Sequence, residues 1–313
     1  MNKFDIYVDS SANLTDDMIA STDINVIPYM CTVNGEERFC YENGMPFAVT
    51  AKKHYEDMLS GADAKTSLIG EARFIEAVTP SLEAGRDVFI ITIASGISGT
   101  HSQALAAKRA LEKQFPKNKI YVGDSANASL GEGLLAVNVA RLRDMGESLN
   151  ACAEWFEENK YKMNAYCVVQ DLKYLRKGGR ISTTLAIAGT ILNIKPILRA
   201  DGGNPAKLAF WSKERGRKKA FDSVLKEFDE LCINPENQTV AITHCNCEED
   251  ALKLAELVKE HGAREVVIEY YDLCTGSHVG PGTLALFFTG KDRRNPQAFP
   301  QLQKRGKTAT QKI

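Results

Sequence analysis

The sequence predicts an α/β protein of two domains: a parallel sheet covered by helices, then a second α/β domain with a mixed sheet. Three observations predict it. Short apolar runs such as Phe4-Asp5-Ile6-Tyr7-Val8 and Val88-Phe89-Ile90-Ile91-Thr92-Ile93 have the length of buried strands. Segments whose apolar residues recur at helical spacing alternate with these runs, as in βαβ units. The chain has 313 residues and 44% hydrophobic content, enough for about two domains of ~100–200 residues each.

Along residues 1–160, the first strand, 4–8, ends in Asp9-Ser10-Ser11-Ala12-Asn13, polar residues at the sheet edge where α/β proteins bind ligands. Thr15-Asp16-Asp17 caps a short helix. Residues 26–32 and 38–41 flank Asn34-Gly35, the preferred pair for a tight turn, so a hairpin arm is expected near 26–41. Pro46 opens a helix that carries Phe47, Tyr55, Met58 and Leu59 on one face. Helices over 71–82, 99–115 and 130–145 then alternate with strands over 88–93 and 119–122.

The second domain is expected over 161–290. Its strands fall at 165–169, 206–211 and 284–288, with a β-α-β unit over 240–270 and a basic helix from Glu214. Between them lie the glycine-rich 175–179 and the very apolar 189–198. Residues 291–313 read as a basic, polar tail outside both cores, interrupted by Pro296 and Pro300.

The net charge of −1 hides an asymmetry. Lys291, Arg293, Arg294, Lys304, Arg305, Lys307 and Lys312 against Asp292 give the tail +6 and leave −7 on residues 1–290. An acidic body gives no reason to expect nucleic acid as a partner, and the tail is the only support for a DNA-binding role. No apolar run approaches the ~20 residues needed to cross a bilayer, and the start of the chain leads into a strand, so a cytoplasmic location is expected. The eight cysteines lack the spacing of a disulfide framework and read as reduced thiols. His244-Cys245-Asn246-Cys247 is the one metal-like cluster, but adjacent ligands rarely close a tetrahedral site, so no metal is expected.

Ser95-Gly96-Ile97-Ser98-Gly99-Thr100 carries the most chemistry. Hydroxyls and glycines stand where a buried strand gives way to a helix, a place where unpaired N–H groups receive an anion. The lysine of a nucleotide P-loop is missing, so the anion need not be a phosphate. Thr66-Ser67 supplies a second donor pair, facing the first if its short strand neighbours the 88–93 strand. Lys177-Gly178-Gly179-Arg180 and His278-Val279-Gly280-Pro281-Gly282 each set a basic side chain beside glycines, and residues 187–197 are apolar enough to line a hydrocarbon pocket. Gly131-Glu132-Gly133-Leu134-Leu135-Ala136 nominally fits a dinucleotide fingerprint but is displaced from the first turn, so helix packing is the better account. A serine hydrolase or acyltransferase using Ser95 or Ser98 is the alternative, weakened by the missing second glycine of a Gly-x-Ser-x-Gly elbow.

Together with Asp9-Ser10-Ser11-Ala12-Asn13-Leu14, Pro28-Tyr29, Asp124-Ser125 and Ile194-Lys195-Pro196-Ile197-Leu198, these motifs resemble the DegV family, in order from residue 4 to about 290. The resemblance implies a two-domain DegV-like α/β fold that binds one long-chain fatty acid. It implies a non-enzymatic, bacterial protein without a cofactor that presents the carboxylate to a separate fatty-acid kinase subunit for phosphorylation. By the same resemblance the carboxylate falls to Thr66 and Ser95, with Ser67 and Ser98 close by, His278 and Arg180 supply positive potential, and Arg215 matches a kinase-docking arginine. A lipid cargo also allows transient contact with a membrane surface. Two departures, Leu68-Ile69 after Thr66-Ser67 and Ala94 before Ser95, make the expected mouth more apolar than is usual in the family.

Overall fold

The computed structural model describes residues 4–41, 47–181 and 193–295 together with Gln297 and Phe299. In chain order the first half contains β1 (Asp5–Asp9), α1 (Asp16–Thr22), β2 (Ile24–Ile27), β3 (Met30–Val33), β4 (Glu36–Phe39), α2 (Phe47–Leu59) and β5 (Ala64–Ser67). It continues with α3 (Glu71–Glu83), β6 (Val88–Thr92), α4 (Thr100–Gln114), β7 (Ile120–Asp124), α5 (Leu130–Asp144) and α6 (Leu149–Asn159). The second half holds β8 (Met163–Val168), α7 (Lys173–Lys177), β9 (Ile194–Ala200), β10 (Leu208–Arg215), α8 (Arg217–Leu231) and β11 (Thr239–His244). After them come α9 (Glu248–Glu260), β12 (Glu265–Tyr270), α10 (Leu273–Val279) and β13 (Leu284–Thr289).

A parallel sheet of order β2-β1-β6-β7 and a mixed sheet of order β10-β9-β8-β13-β11-β12 form the two-domain α/β fold. The helix α5 lies between them, touching β1 and β6 on one side and β8, β11 and β13 on the other. That position explains its sequence. A helix between two sheets has no solvent face, so Leu-Gly-Glu-Gly-Leu-Leu-Ala-Val is apolar nearly all round. Gly133 and Gly131 meet the need for close approach: a Cβ on them would come within 2.4 Å of the Ala12 carbonyl and 2.5 Å of Asn127 Oδ1.

The mixed sheet buries both faces, and its strands show the period of two that this demands. Ala285 and Phe287 of β13 join the core shared with the parallel sheet, while Leu284, Leu286 and Phe288 pack beneath α8 and α9 in a second core. Burying two faces requires apolar residues at every position, which is why this strand reads as a continuous run.

Several sequence expectations are revised. The run 26–32 is two strands in two sheets: β2 pairs with β1, and β3 turns away to pair with β4 and β5. The break falls at Pro28-Tyr29, where Pro28 lacks a donor and the Tyr29 N–H is taken by Ser10 Oγ at 3.0 Å. The basic helix begins at Arg217 because β10 runs on through Arg215, and Gly216, with φ of 84°, makes the corner. The helices α6 and α10 were not expected, although Ser148 and Asp272 cap them with their side chains. Part of the tail belongs to the body. Phe299 is buried against Trp211 in the second core, and the buried Arg293 guanidinium donates to the carbonyls of Asp201, Ala126 and Lys160. Three main-chain carbonyls solvate this cation in place of water, a pattern that local composition does not reveal. Pro46, residues 187–192 and most of the tail lie outside the described residues.

Candidate functional site

The small antiparallel sheet β4-β3-β5 brings Thr66 to the site by an unexpected route. β5 pairs with β3, Thr66 lying opposite Cys31, and does not neighbour β6. Helix α10 packs on β5 and α7, and this contact delivers His278. His278 Nε2 lies 2.8 Å from Thr66 Oγ1. Gly178 makes room for the ring, since a Cβ there would stand 2.1 Å from His278 Nδ1. Gly178→Ala is therefore expected to displace the imidazole and weaken binding at this site about three- to tenfold, the worth of one neutral hydrogen bond. Calorimetric titration checks this, with unchanged affinity as the contrary result.

Thr66, Ser67, Ser98, Arg180 and His278 line one cavity of about 250 Å³. Its exposed lining residues, Ser67, Leu68, Gly99 and Arg180, mark the opening. Its buried lining residues on the mixed sheet mark the interior: Ala165 and Cys167 on β8, Ala200 on β9, Ala285 and Phe287 on β13. These come from the inner face of the mixed sheet, so the cavity lies between that sheet and the loops following β5 and β6. Most of the lining is apolar; of the polar lining residues, Ser67 and Arg180 are exposed, while Tyr29, Asn127 and Tyr271 are buried.

Ser95 is not among the lining residues. Its hydroxyl donates to Asp124 Oδ2 at 2.5 Å, and its N–H also faces that carboxylate. The neighbouring strand β7, which ends at Asp124, thus turns Ser95 sideways, and Ser98 is the hydroxyl of the loop that reaches the cavity. Arg180 spans the opening, with Nε 3.3 Å from the Ile97 carbonyl and Nη1 2.5 Å from the Gly178 carbonyl.

His278 differs electrostatically from the expectation. Burial, aided by the Arg180 charge, pulls its pKa down to about 4, so it is a neutral hydrogen-bonding group near pH 7 and Arg180 alone of the two carries charge. Among the described residues neither Ser95 nor Ser98 is hydrogen-bonded to a histidine: His101 Nδ1 lies 2.9 Å from Thr92 Oγ1, and His278 is held by Thr66. A Ser–His pair of the kind a serine hydrolase uses is not found at this loop among the described residues. At 244–247 the Cys247 N–H donates to His244 Nδ1 at 3.3 Å, and the Cys245 N–H bonds to the Thr283 carbonyl. Among the described residues no group of three or more His, Cys, Asp or Glu is arranged to hold a metal ion. Arg215 is exposed at the end of β10 and is not part of the cavity.

Beneath the site sit three fully buried carboxylates. Asp9 Oδ2 accepts the N–H of Ile93, a cavity residue, and Asp272 caps α10 by accepting the N–H groups of Cys274 and Thr275. Ser11 Oγ bridges Asp9 Oδ1 at 2.5 Å and Glu132 Oε2 at 3.2 Å, and Glu132 Oε1 has no partner among the described residues. Burial pushes Asp9 up to about 6 and Asp272 up to about 7, and, with help from the Asp9 charge, it raises Glu132 well above the ordinary carboxylate range. Sequence reasoning flagged Asp9 but missed Glu132 and Asp272, whose only local signals are a helix interior and a helix cap.

A family model described as "Uncharacterised protein, DegV family" matches residues 3–291. A DegV domain-containing protein of Clostridium perfringens is 35% identical over 297 residues, 95% of this chain and all of that one. The chain belongs to the DegV family. Solved DegV structures agree in fold. A DegV protein from Ruminococcus gnavus, refined with vaccenic acid, aligns with a TM-score of 0.81 at 23% identity over 92% of this chain and 100% of that one. A fatty-acid-binding DegV protein from Thermus thermophilus aligns at 0.79 and 24% over 91% and 98%. One from Eubacterium eligens, loaded with heptadecanoic acid, aligns at 0.78 and 20% over 92% and 100%. No helix among the described residues of this DegV protein is long and apolar enough to cross a membrane.

Proposed function

We propose that this DegV protein binds one long-chain fatty acid and presents its carboxylate to a separate fatty-acid kinase subunit for conversion to an acyl-phosphate. The observation that carries the reading is a single cavity with an apolar interior and Thr66, Ser98, His278 and Arg180 gathered among its lining residues. Such a division suits an amphiphile with one anionic end. With its proton on Nε2, His278 donates to Thr66, which frees the Thr66 hydroxyl proton for the ligand. Ser98 offers a second donor and Arg180 the compensating charge. Ser67 borders the opening, and Ser95 supports the loop through Asp124. The acyl chain replaces contact with water by contact with Ala165, Cys167, Ala200 and Ala285, each buried methylene contributing ~0.8 kcal/mol before the costs of association. Related DegV structures that hold vaccenic and heptadecanoic acid support the ligand class.

Protein purified from cells and extracted under denaturing conditions is expected to release stoichiometric fatty acid in mass spectrometry. Finding none, with no uptake of added oleate, overturns the reading. Thr66→Ala and Ser98→Ala are each expected to weaken oleate binding about tenfold, the worth of one hydrogen bond to a carboxylate. Presentation to the kinase is tested separately: Arg215→Ala should leave lipid content unchanged and slow acyl-phosphate formation by an added kinase subunit.

A further inference from the structure

Tyr29 stands at the junction where the sequence suggests one strand and the structure has two. Its backbone is clamped on both sides, the N–H by Ser10 Oγ at 3.0 Å and the carbonyl by the Cys40 N–H at 2.9 Å. The ring is 3% exposed and borders the cavity. Its hydroxyl does not end there. Tyr29 OH donates to Thr100 Oγ1 at 2.7 Å, and Thr100 Oγ1 lies 3.0 Å from Ser98 Oγ. Three hydroxyls therefore run in series from a buried phenol to the serine that lines the cavity.

Donor and acceptor positions set what each hydroxyl can offer. A hydroxyl has one proton and two acceptor positions. Thr100 Oγ1 accepts from Tyr29, and its own proton is available for donation to Ser98 Oγ. The Thr100 N–H donates to the same Ser98 oxygen at 3.3 Å. With Thr100 donating in this way, both acceptor positions of Ser98 are used, and its proton is left for a group in the cavity.

Resting on the fatty-acid reading above, we propose that Tyr29 and Thr100 are positioning residues that orient and polarise the Ser98 hydroxyl as a donor to the ligand carboxylate. Each bond in such a chain strengthens the next, because a hydroxyl that accepts a hydrogen bond becomes a better donor. Without Tyr29, the Thr100 hydroxyl loses the donor that strengthens its own donation to Ser98, and Ser98 becomes a weaker donor to the carboxylate. The device needs Tyr29 and Thr100 together, 71 residues apart in the chain, and neither carries charge.

The experiment uses the full chain, delipidated and reloaded with oleate carrying ¹³C at C1. Tyr29→Phe removes only the oxygen and is expected to weaken oleate binding about three- to tenfold, the worth of one neutral hydrogen bond. The bound carboxyl resonance should also titrate at higher pH than in the parent, a shift that loss of packing would not produce. Thr100→Val should reproduce both changes, and Thr100→Ser, which keeps the hydroxyl, should restore them. In a double-mutant cycle, Tyr29→Phe should cost little further affinity once Ser98 is alanine. Additive losses, or an unmoved carboxyl titration in Tyr29→Phe, overturn this inference while leaving the fatty-acid reading intact. A parent protein that takes up no oleate overturns both.

Discussion

Ala285→Phe is expected to abolish fatty-acid binding while leaving the fold in place. Ala285 is 2% exposed on β13, opposite Cys167 of β8, and both face the cavity with Ala165 and Ala200. The room exists because these inner-face positions are small where neighbouring strands usually carry branched side chains. A phenyl ring at Ala285 projects into that space and takes the place of about four methylenes of ligand. At ~0.8 kcal/mol each, the loss is about 3 kcal/mol, more than a hundredfold in affinity. In a filled core such a substitution costs about 1–3 kcal/mol of stability through overpacking; directed into a cavity it should cost less. Mass spectrometry of extracted lipid and thermal unfolding together check both halves. A variant that still carries stoichiometric fatty acid would place the acyl chain elsewhere.

The second large effect concerns pH. Asp9 and Asp272 hold protons in the folded state to about pH 6 and 7, and Glu132 is raised as well, whereas the unfolded chain releases them near pH 4. The folded state thus binds more protons than the unfolded one across this interval. The contribution of these groups is complete below about pH 4 and is lost as pH rises through 6 and 7. Glu132→Gln removes one carboxyl from the cluster and supplies an amide N–H for Ser11 or Asp9. At pH 8 the variant is expected to exceed the parent by on the order of 1–3 kcal/mol, with the difference vanishing near pH 4. His54, His244 and His278 act oppositely, since burial lowers each to about 4 and stability falls as pH drops below 6.5. They are common to both proteins and cancel in the difference. Urea denaturation at pH 4, 6 and 8 decides the matter, and a gap independent of pH would contradict the cluster's role.

Much of the architecture was legible in the chain. The runs at β1, β6, β11 and β13 declare themselves because a strand buried on both faces must be apolar throughout. Thr15, which accepts from the Met18 N–H, declares α1 in the same local way. The hairpin at Asn34-Gly35 is found where its turn chemistry places it, with Asn34 at φ of 51° and Gly35 at 91°. The candidate site was legible as a set of motifs in part: Thr66, Ser67, Ser98, Arg180 and His278 line one cavity, whereas Ser95 does not.

Partition among sheets was not legible. Residues 26–32 carry no local mark that tells β2, which pairs with β1, from β3, which pairs with β5. The choice between Ser95 and Ser98 was equally hidden, because Asp124, which draws Ser95 away, lies 29 residues further along the chain. Periodicity, turn residues and motif order are properties of neighbouring residues, so the sequence by itself determined the α/β class, the strand–helix alternation and the DegV resemblance. Which hydroxyl lines the cavity, how far burial lowers the His278 pKa, and which small side chains leave room for the cavity depend on burial and on partners distant in sequence. Desolvation and packing act only on the assembled fold, and so only the tertiary structure decided them.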